Sequence, residues 1–257
     1  MFGGQGATVC FNDLHLLDLK KAPLNLQLLS TAADPPSPRS CGTLTALSVS
    51  GCPGTEVVVM FGGSQGFLEG FSNSLHILQG DGDDSVSLSD AASQHMGLTW
   101  AVPIVCAHAY HEGVPHARWG HSAVAWRGKL VIFGGANLQR HCNDTWILDV
   151  SVDLDVSGPV GGNAQQLLAT WMQLLVRGVR PPRRAGHTAS LVGNSLYVFG
   201  GRGAGGHLDH VYNDLWKLDL SALWPRWEEL HVTGTPPAPR MGHAAVGRCS
   251  SMIPTLQ

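Results

Sequence analysis

Apolar residues fall along this chain in short bursts, and four of the bursts end alike. The runs MFGG at 1–4, VVVMFGG at 57–63, LVIFGG at 130–135 and LYVFGG at 196–201 each close on an aromatic residue and two glycines. Each is followed by a segment with Asn near its start and alternating apolar positions: FNDLHLLDL at 11–19, SNSLHILQ at 72–79, CNDTWILDV at 142–150 and YNDLWKLDL at 212–220. Period-two alternation carried by β-branched, aromatic and leucine side chains predicts strands. A third apolar run opens with Trp in three cases, WAVPIV from Trp100, WMQLLV from Trp171 and WEELHV from Trp227, and LNLQLL at 24–29 takes that place without a Trp. Pro-rich turns then lead to Arg, in PPSPR ending at Arg39, VPHAR at Arg118, RPPRR at Arg184 and PPAPR at Arg240. After the last three, the chain continues x-Gly-His and a fourth apolar run, as in RWGHSAVAW from Arg118.

The unit is therefore four short strands joined by turns, and it resembles the kelch repeat over nearly the whole chain. Its double Gly, Asn-Asp, Trp and Pro-x-x-Arg-x-Gly-His marks are specific in combination. The resemblance implies an all-β fold, a kelch β-propeller of four-stranded antiparallel blades. Three complete repeats, 39–117, 118–183 and 184–239, stand between a half blade at 1–38 and a half blade at 240–248, with an irregular tail at 249–257. A four-stranded meander with two apolar faces covers both by packing blade on blade.

Met1 aligns with Met60, Ile132 and Val198, so the chain opens in the second strand of a blade. Two assemblies follow. The C-terminal first strand could pair with the N-terminal second strand and close a ring of four, or the chain could be a piece of a longer propeller. The second is the expectation, because Met1 suits an internal strand position and the pattern fades after Val246. Other domains, F-box or BTB among them, would then lie outside this sequence.

The intervals from Arg39 to Arg118 to Arg184 to Arg240 exceed a kelch unit of about 50 residues. The excess lies in QGDGDDSVSLSDAASQHMG at 79–97 and SVDLDVSGPVGGNAQQLLA at 151–169, both between the third and fourth strands. Their Gly, Ser and Asp content reads as surface insertion. In an antiparallel meander the loops after strands two and four share one face, and the insertions decorate the other. The first face carries SQGFLEGF at 64–71, ANLQRH at 136–141, RGAGGHLDHV at 202–211 and the Pro-rich connectors. These loops differ where the strands agree, and Phe67, Phe71, Tyr110, Arg140 and Arg202 suit protein contacts. With His207, Asp209 and His210 they form the expected binding set.

The recurrent residues read as structural. Gly62 with Gly63, Gly134 with Gly135 and Gly200 with Gly201 answer a need for positive φ or close backbone approach. No helix or GK[ST] follows them to make a phosphate cradle. Arg118, Arg184 and Arg240, with Asp144 and Asp214, are expected in hydrogen-bonded charge pairs. His121, His187 and His243 recur at one place in the unit, which suits blade-to-blade hydrogen bonds, whereas a catalytic residue is needed once. Trp100, Trp171 and Trp227 belong to the same framework.

Composition narrows the function. The chain has 257 residues, 44% of them hydrophobic and 14% charged, with net charge −3 and mean hydropathy +0.04. A large β core is affordable, and there is no basic footprint for a nucleic-acid partner. No run reaches membrane-spanning length and no secretion signal opens the chain, so no membrane partner is expected and the expected setting is cytoplasmic or nuclear. Cys10, Cys41, Cys52, Cys106, Cys142 and Cys249 form no CxxC and no regular spacing, which favours neither zinc nor disulfides. Two loop clusters, His108, His111 and His116, and His207, Asp209 and His210, could meet a divalent metal but match no fixed ligand spacing. A copper-radical Tyr, Cys and His set is missing, as are the iron-associated Glu-x3-Asp-x3-His pattern and a Gly-x-Ser-x-Gly elbow.

No catalytic residue, metal or cofactor is therefore expected. Resemblance to F-box/kelch and Rab-effector-like propellers implies a protein-interaction module, as an adaptor or as a substrate receptor for ubiquitin ligation. The alternative is a metal-dependent oxidase or isomerase on the same scaffold.

Overall fold

The computed structural model describes residues 1–19, 22–52, 54–66, 69–80, 97–107, 113–153, 166–205 and 208–247. All regular structure among them is β. The first sheet has β1 (Phe2–Gln5), β2 (Cys10–Asp18) and β3 (Asn25–Leu29) in that order. The second has β4 (Thr43–Ser48), β5 (Glu56–Phe61), β8 (Leu75–Gly80) and β9 (Leu98–Ala101), with a small hairpin of β6 (Ser64–Gly66) and β7 (Gly70–Phe71) between β5 and β8. The third has β11 (Ser122–Trp126), β12 (Lys129–Phe133), β13 (Thr145–Asp153) and β14 (Gln166–Gln173). The fourth has β15 (Thr188–Val192), β16 (Ser195–Phe199), β19 (Leu215–Asp219) and β20 (Trp227–Leu230), with a hairpin of β17 (Arg202–Gly205) and β18 (Leu208–Val211). These are antiparallel meanders, and β5, β12 and β16 hold the same place in three separate sheets.

β5 and β12 are apolar at consecutive positions because both their faces are covered, whereas β16 alternates buried Leu196 and Val198 with half-buried Tyr197 and Phe199. Leu130 and Ile132 of β12 enter a core shared with Val57, Val59, Phe61 and Ile77 of the second blade. Val131 and Phe133, the alternate positions, enter a core shared with Leu196, Val198, Trp216 and Leu218 of the fourth. A third core joins Leu14 of β2 to Met60, Leu78, Leu98 and Trp100. Each core is thus an interface between blades, and β11 packs beside both β4 and β15, so the first strands sit innermost.

The strand readings need four corrections. WAVPIV is two strands: β9 ends at Ala101, and β10 (Ile104–Ala107) leaves its own blade to pair in parallel with β14 of the next. Pro103 lies at the break, where a residue without an N–H cannot continue the ladder. Trp171 does not open its strand, since Leu167, Ala169 and Trp171 all point into one core, so the alternation begins five residues earlier at Gln166. The insertion read at 151–169 loses residues to β13 and β14, and that read at 79–97 loses Gln79 and Gly80 to β8; 81–96 and 154–165 lie outside the described residues. The described C-terminal residues 240–247 form no strand. They lie along β15 instead, with His243 Nε2 3.1 Å from Thr188 Oγ1.

A backbone chain links the blades near the axis. The N–H of Gly242 donates to Gly186 O at 2.8 Å, Gly186 to Gly120 O at 2.8 Å, and Gly120 to Cys41 O at 3.0 Å. All four residues are left-handed, at φ of 65°, 66°, 61° and 55° in that order. Glycine adopts this conformation freely and cysteine does not. Cys41→Gly is therefore expected to raise unfolding stability by about 0.5–1 kcal/mol, the relief of strain exceeding the added freedom of the unfolded chain. Urea denaturation checks this, and a loss of stability would show that Cys41 is unstrained.

Candidate interaction face

Each motif Arg spans two blades. The Arg118 N–H donates to Ser72 O of the preceding blade at 3.0 Å, and its carbonyl accepts from Gly63 N–H at 2.9 Å. Arg184 repeats this with Cys142 and Gly135, and Arg240 with Tyr212 and Gly201. The side chain reaches the other way. Arg118 donates through Nε to His116 O, through Nη1 to Gly134 O, and through both terminal nitrogens to the Asp144 carboxylate at 2.8 and 3.0 Å. Arg184 makes the same set with Pro182, Gly200 and Asp214. Both guanidiniums are fully buried. The Trp146 and Trp216 indoles donate to the same carboxylates at 2.7 and 2.6 Å.

The glycine pairs allow this contact. A Cβ on Gly134 would stand 2.9 Å from Arg184 O, and one on Gly201 would stand 2.8 Å from His187 Cβ. Gly62, Gly63, Gly135 and Gly200 are crowded in the same way, and all six have positive φ.

This frame fixes the loops at one end of the blades. Asn73, Asn143 and Asn213 donate side-chain N–H to Pro115 O, Pro181 O and Pro237 O, tying the loop after the second strand to the Pro-rich connector. The bridges Ser40 to Ser64, Trp119 to Ala136 and Ala185 to Arg202 lay each of these loops against the residue after a motif Arg. In the second and fourth blades the loop is a two-stranded ribbon rather than an irregular connector.

The candidate residues are distributed over this end. Phe71 is half-buried and its ring packs 6.2 Å from Trp119 of the next blade, an aromatic that the sequence reading passed over. Arg140 is exposed on a turn that Asn137 Oδ1 holds by accepting from Gln139 N–H and Arg140 N–H, beside Leu138 at 85% exposure. Leu138 also went unremarked, because one apolar residue in a polar loop leaves no periodic signal. Arg202 is half-buried in β17, and exposed His210 packs on Tyr212 at 4.6 Å. Asp209 pairs through its backbone with Ala204. These residues stand on three successive blades. Phe67, Tyr110 and His207 lie outside the described residues, as do His108 and His111.

Among the described residues no three His, Cys, Asp or Glu side chains gather to hold a metal ion. The five described cysteines are free. A depression of about 520 Å³ that includes Phe199, Leu215, Leu230, Pro236 and Pro237 is the outer face of the fourth blade rather than a closed cleft.

The motif histidines join blades. His121 Nε2 lies 2.9 Å from Thr43 Oγ1 and His187 Nε2 lies 2.9 Å from Ser122 Oγ, each hydroxyl belonging to the preceding first strand. Their rings meet Phe61 and Phe133 edge-on at 5.3 and 5.2 Å. Burial, and then the charge of Arg118 or Arg184, lowers both imidazoles to about 3. Burial would raise the Asp144 and Asp214 carboxyls, but hydrogen bonds and charge from Arg118 and Arg184, with the Trp indoles, outweigh it and hold both below the ordinary value.

A family model described as the KLHDC2/KLHL20/DRC7 Kelch-repeats domain matches residues 109–254. Tip elongation aberrant protein 1 of Schizosaccharomyces pombe is 36% identical over 196 residues, covering 71% of this chain and 15% of its own. Adagio-like protein 3 of Oryza sativa subsp. japonica is 29% identical over 254 residues, covering 96% of this chain and 33% of its own. The flagellar outer-arm dynein alpha chain of Chlamydomonas reinhardtii is 34% identical over 134 residues, 51% of this chain and 3% of its own. This chain thus spans a third or less of each of these relatives. The solved structure of YjhT, at 14% identity, aligns with TM-score 0.57 over 94% of this chain and 66% of its own, a likeness of fold.

Two outcomes follow from the frame. Asp214→Asn leaves Arg184 buried beside a neutral amide and is expected to cost about 3–5 kcal/mol in chemical denaturation. The histidines stay neutral in the fold and take up protons on unfolding, so stability is full above about pH 6.5 and falls as pH drops toward the folded values. From pH 6.5 to 5 each of His121 and His187 is expected to remove about 2 kcal/mol. His187→Gln should lose stability at pH 7 yet show a shallower decline on acidification. An unchanged slope would show that His187 titrates normally.

Proposed function

The chain belongs to the kelch-repeat family, and from that premise we propose that it is a non-enzymatic protein-interaction module whose partner protein docks on the end bearing the loops after the second strands. Such domains are typically interaction modules, and the names of its relatives, a dynein chain, a tip elongation protein and an Adagio-like protein, share no single chemistry. One observation carries the proposal. Blades held alike by the Arg frame present loops that differ from blade to blade, with Phe71 against Trp119 and exposed Leu138 beside Arg140. Aromatic and Arg anchors on a stiff support suit protein recognition, since little ordering is left to do on binding. The finer reading is an adaptor or substrate receptor, for example in ubiquitin ligation, working in the cytoplasm or nucleus without nucleic acid or membrane.

Leu138→Ala with Arg140→Ala tests the face. Exposed loop positions change stability by about 0.5 kcal/mol or less, so the double variant should melt with the parent protein. It is expected to lose the proteins that the parent chain captures from its own cells. Deletion of 154–165, between β13 and β14 in sequence, should leave capture intact. Capture lost by the deletion and kept by the double variant would move the binding surface away from this end.

A further inference from the structure

The second blade departs from its neighbours at one charged position. Where the third and fourth blades place Asp144 and Asp214 against Arg118 and Arg184, this blade places Ser74 against Arg39. Where they place Trp146 and Trp216, whose indoles donate to that carboxylate, it places His76. Arg39 is nevertheless 3% exposed, as deeply set as the others. Its Nε donates to Ser37 O, its Nη1 to Gly62 O and Ser74 Oγ, and its Nη2 to Ser37 Oγ, all neutral acceptors. Among the described residues no carboxylate pairs with it.

A guanidinium cannot shed its proton to escape burial, so its charge stays and calls for a counter-charge. The surroundings are built to supply hydrogen bonds to one. Ser72 and Ser74 hydroxyls lie 2.8 Å apart beside the guanidinium. One N–H of Nη2 remains beyond the bond to Ser37, because the guanidinium has five N–H donors. His76 Nδ1 is buried with no hydrogen-bond partner among the described residues. Burial and the Arg39 charge lower this imidazole to about 4, so the ring is neutral and can carry its proton on Nδ1.

We propose that Arg39, with Ser74 and His76, binds a small monovalent anion, a monocarboxylate such as formate or a halide, at the place that Asp144 and Asp214 fill with their own carboxylates in the next two blades. The anion neutralises the buried guanidinium as those side chains do. Recognition is by one charge and a few hydrogen-bond donors.

The experiment is thermal unfolding of the full chain at constant ionic strength, with sodium isethionate replaced stepwise by sodium formate or sodium chloride. The parent protein is expected to gain about 2 °C or more along a saturating single-site curve. Ser74→Asp, which supplies the carboxylate from the chain, is expected to melt higher in isethionate and to lose the response to formate and chloride. An equal rise in both proteins is a general salt effect and overturns the proposal. So does a response of the parent protein that is absent or linear without saturation, a criterion that stands even if Ser74→Asp does not fold.

Discussion

Everything in this propeller hangs on a guanidinium buried where four stretches of chain meet. The backbone of Arg118 is bonded on both sides to the blade before it, and its side chain is bonded to both ends of the loop between the second and third strands of its own blade and to the connector that delivers it. No apolar residue could do this, because hydrophobic burial has no direction and these contacts specify orientation at five donors. The bond network also explains the neighbouring sequence. Glycines are needed where the next Arg carbonyl approaches, Asp where the fork must be answered, and Trp where the carboxylate needs a third donor. The histidine that follows sits on the aromatic ring before the glycines and is hydrogen-bonded to a hydroxyl of the earlier blade.

Much of this was legible in the amino-acid order because a repeat displays its own rules. The double glycines, the Asn-Asp step and the Arg together marked the strands and turns of each repeat, and VVVMF, LVIF and LYVF marked its second strand. What escaped was local to single copies. The parallel strand Ile104–Ala107 looked like the continuation of the strand before it, and only Pro103 marked the change of partner. The early start of the strand carrying Trp171 was visible in Leu167 and Ala169 but was hidden by the expectation that Trp comes first. At the candidate face the aromatic partner of Phe71 lies 48 positions away in the next repeat, a proximity that no local pattern encodes.

The second blade shows what happens when the rules are relaxed together. It has Cys41 where the third and fourth have a left-handed glycine, Gly42 where they have His, Ser74 where they have Asp and His76 where they have Trp. A cavity of about 80 Å³ including Phe2, Gly42, Thr43 and Met60 occupies the region where His121 and His187 sit between the later blades. The blade keeps its strands and its Arg all the same, so apolar cover on both faces holds the sheet while the polar network decides how firmly and with what charge.

The strand Ile104–Ala107 binds the second blade to the outer edge of the third through four parallel register pairs. Shorter versions recur, with Ala32 N–H bonded to Leu98 O and Arg177 bridged to Arg226. These crossings act as straps around the rim, while the glycine chain ties the blades near the axis. Two neighbouring wedges fastened at hub and rim cannot hinge open about either fastening alone. A pull that spreads them along the strand direction loads the strap in shear, so several hydrogen bonds must fail at once instead of unzipping in turn. The joint between the second and third blades is on this account the mechanically strongest of the three, and under tension the others should part first.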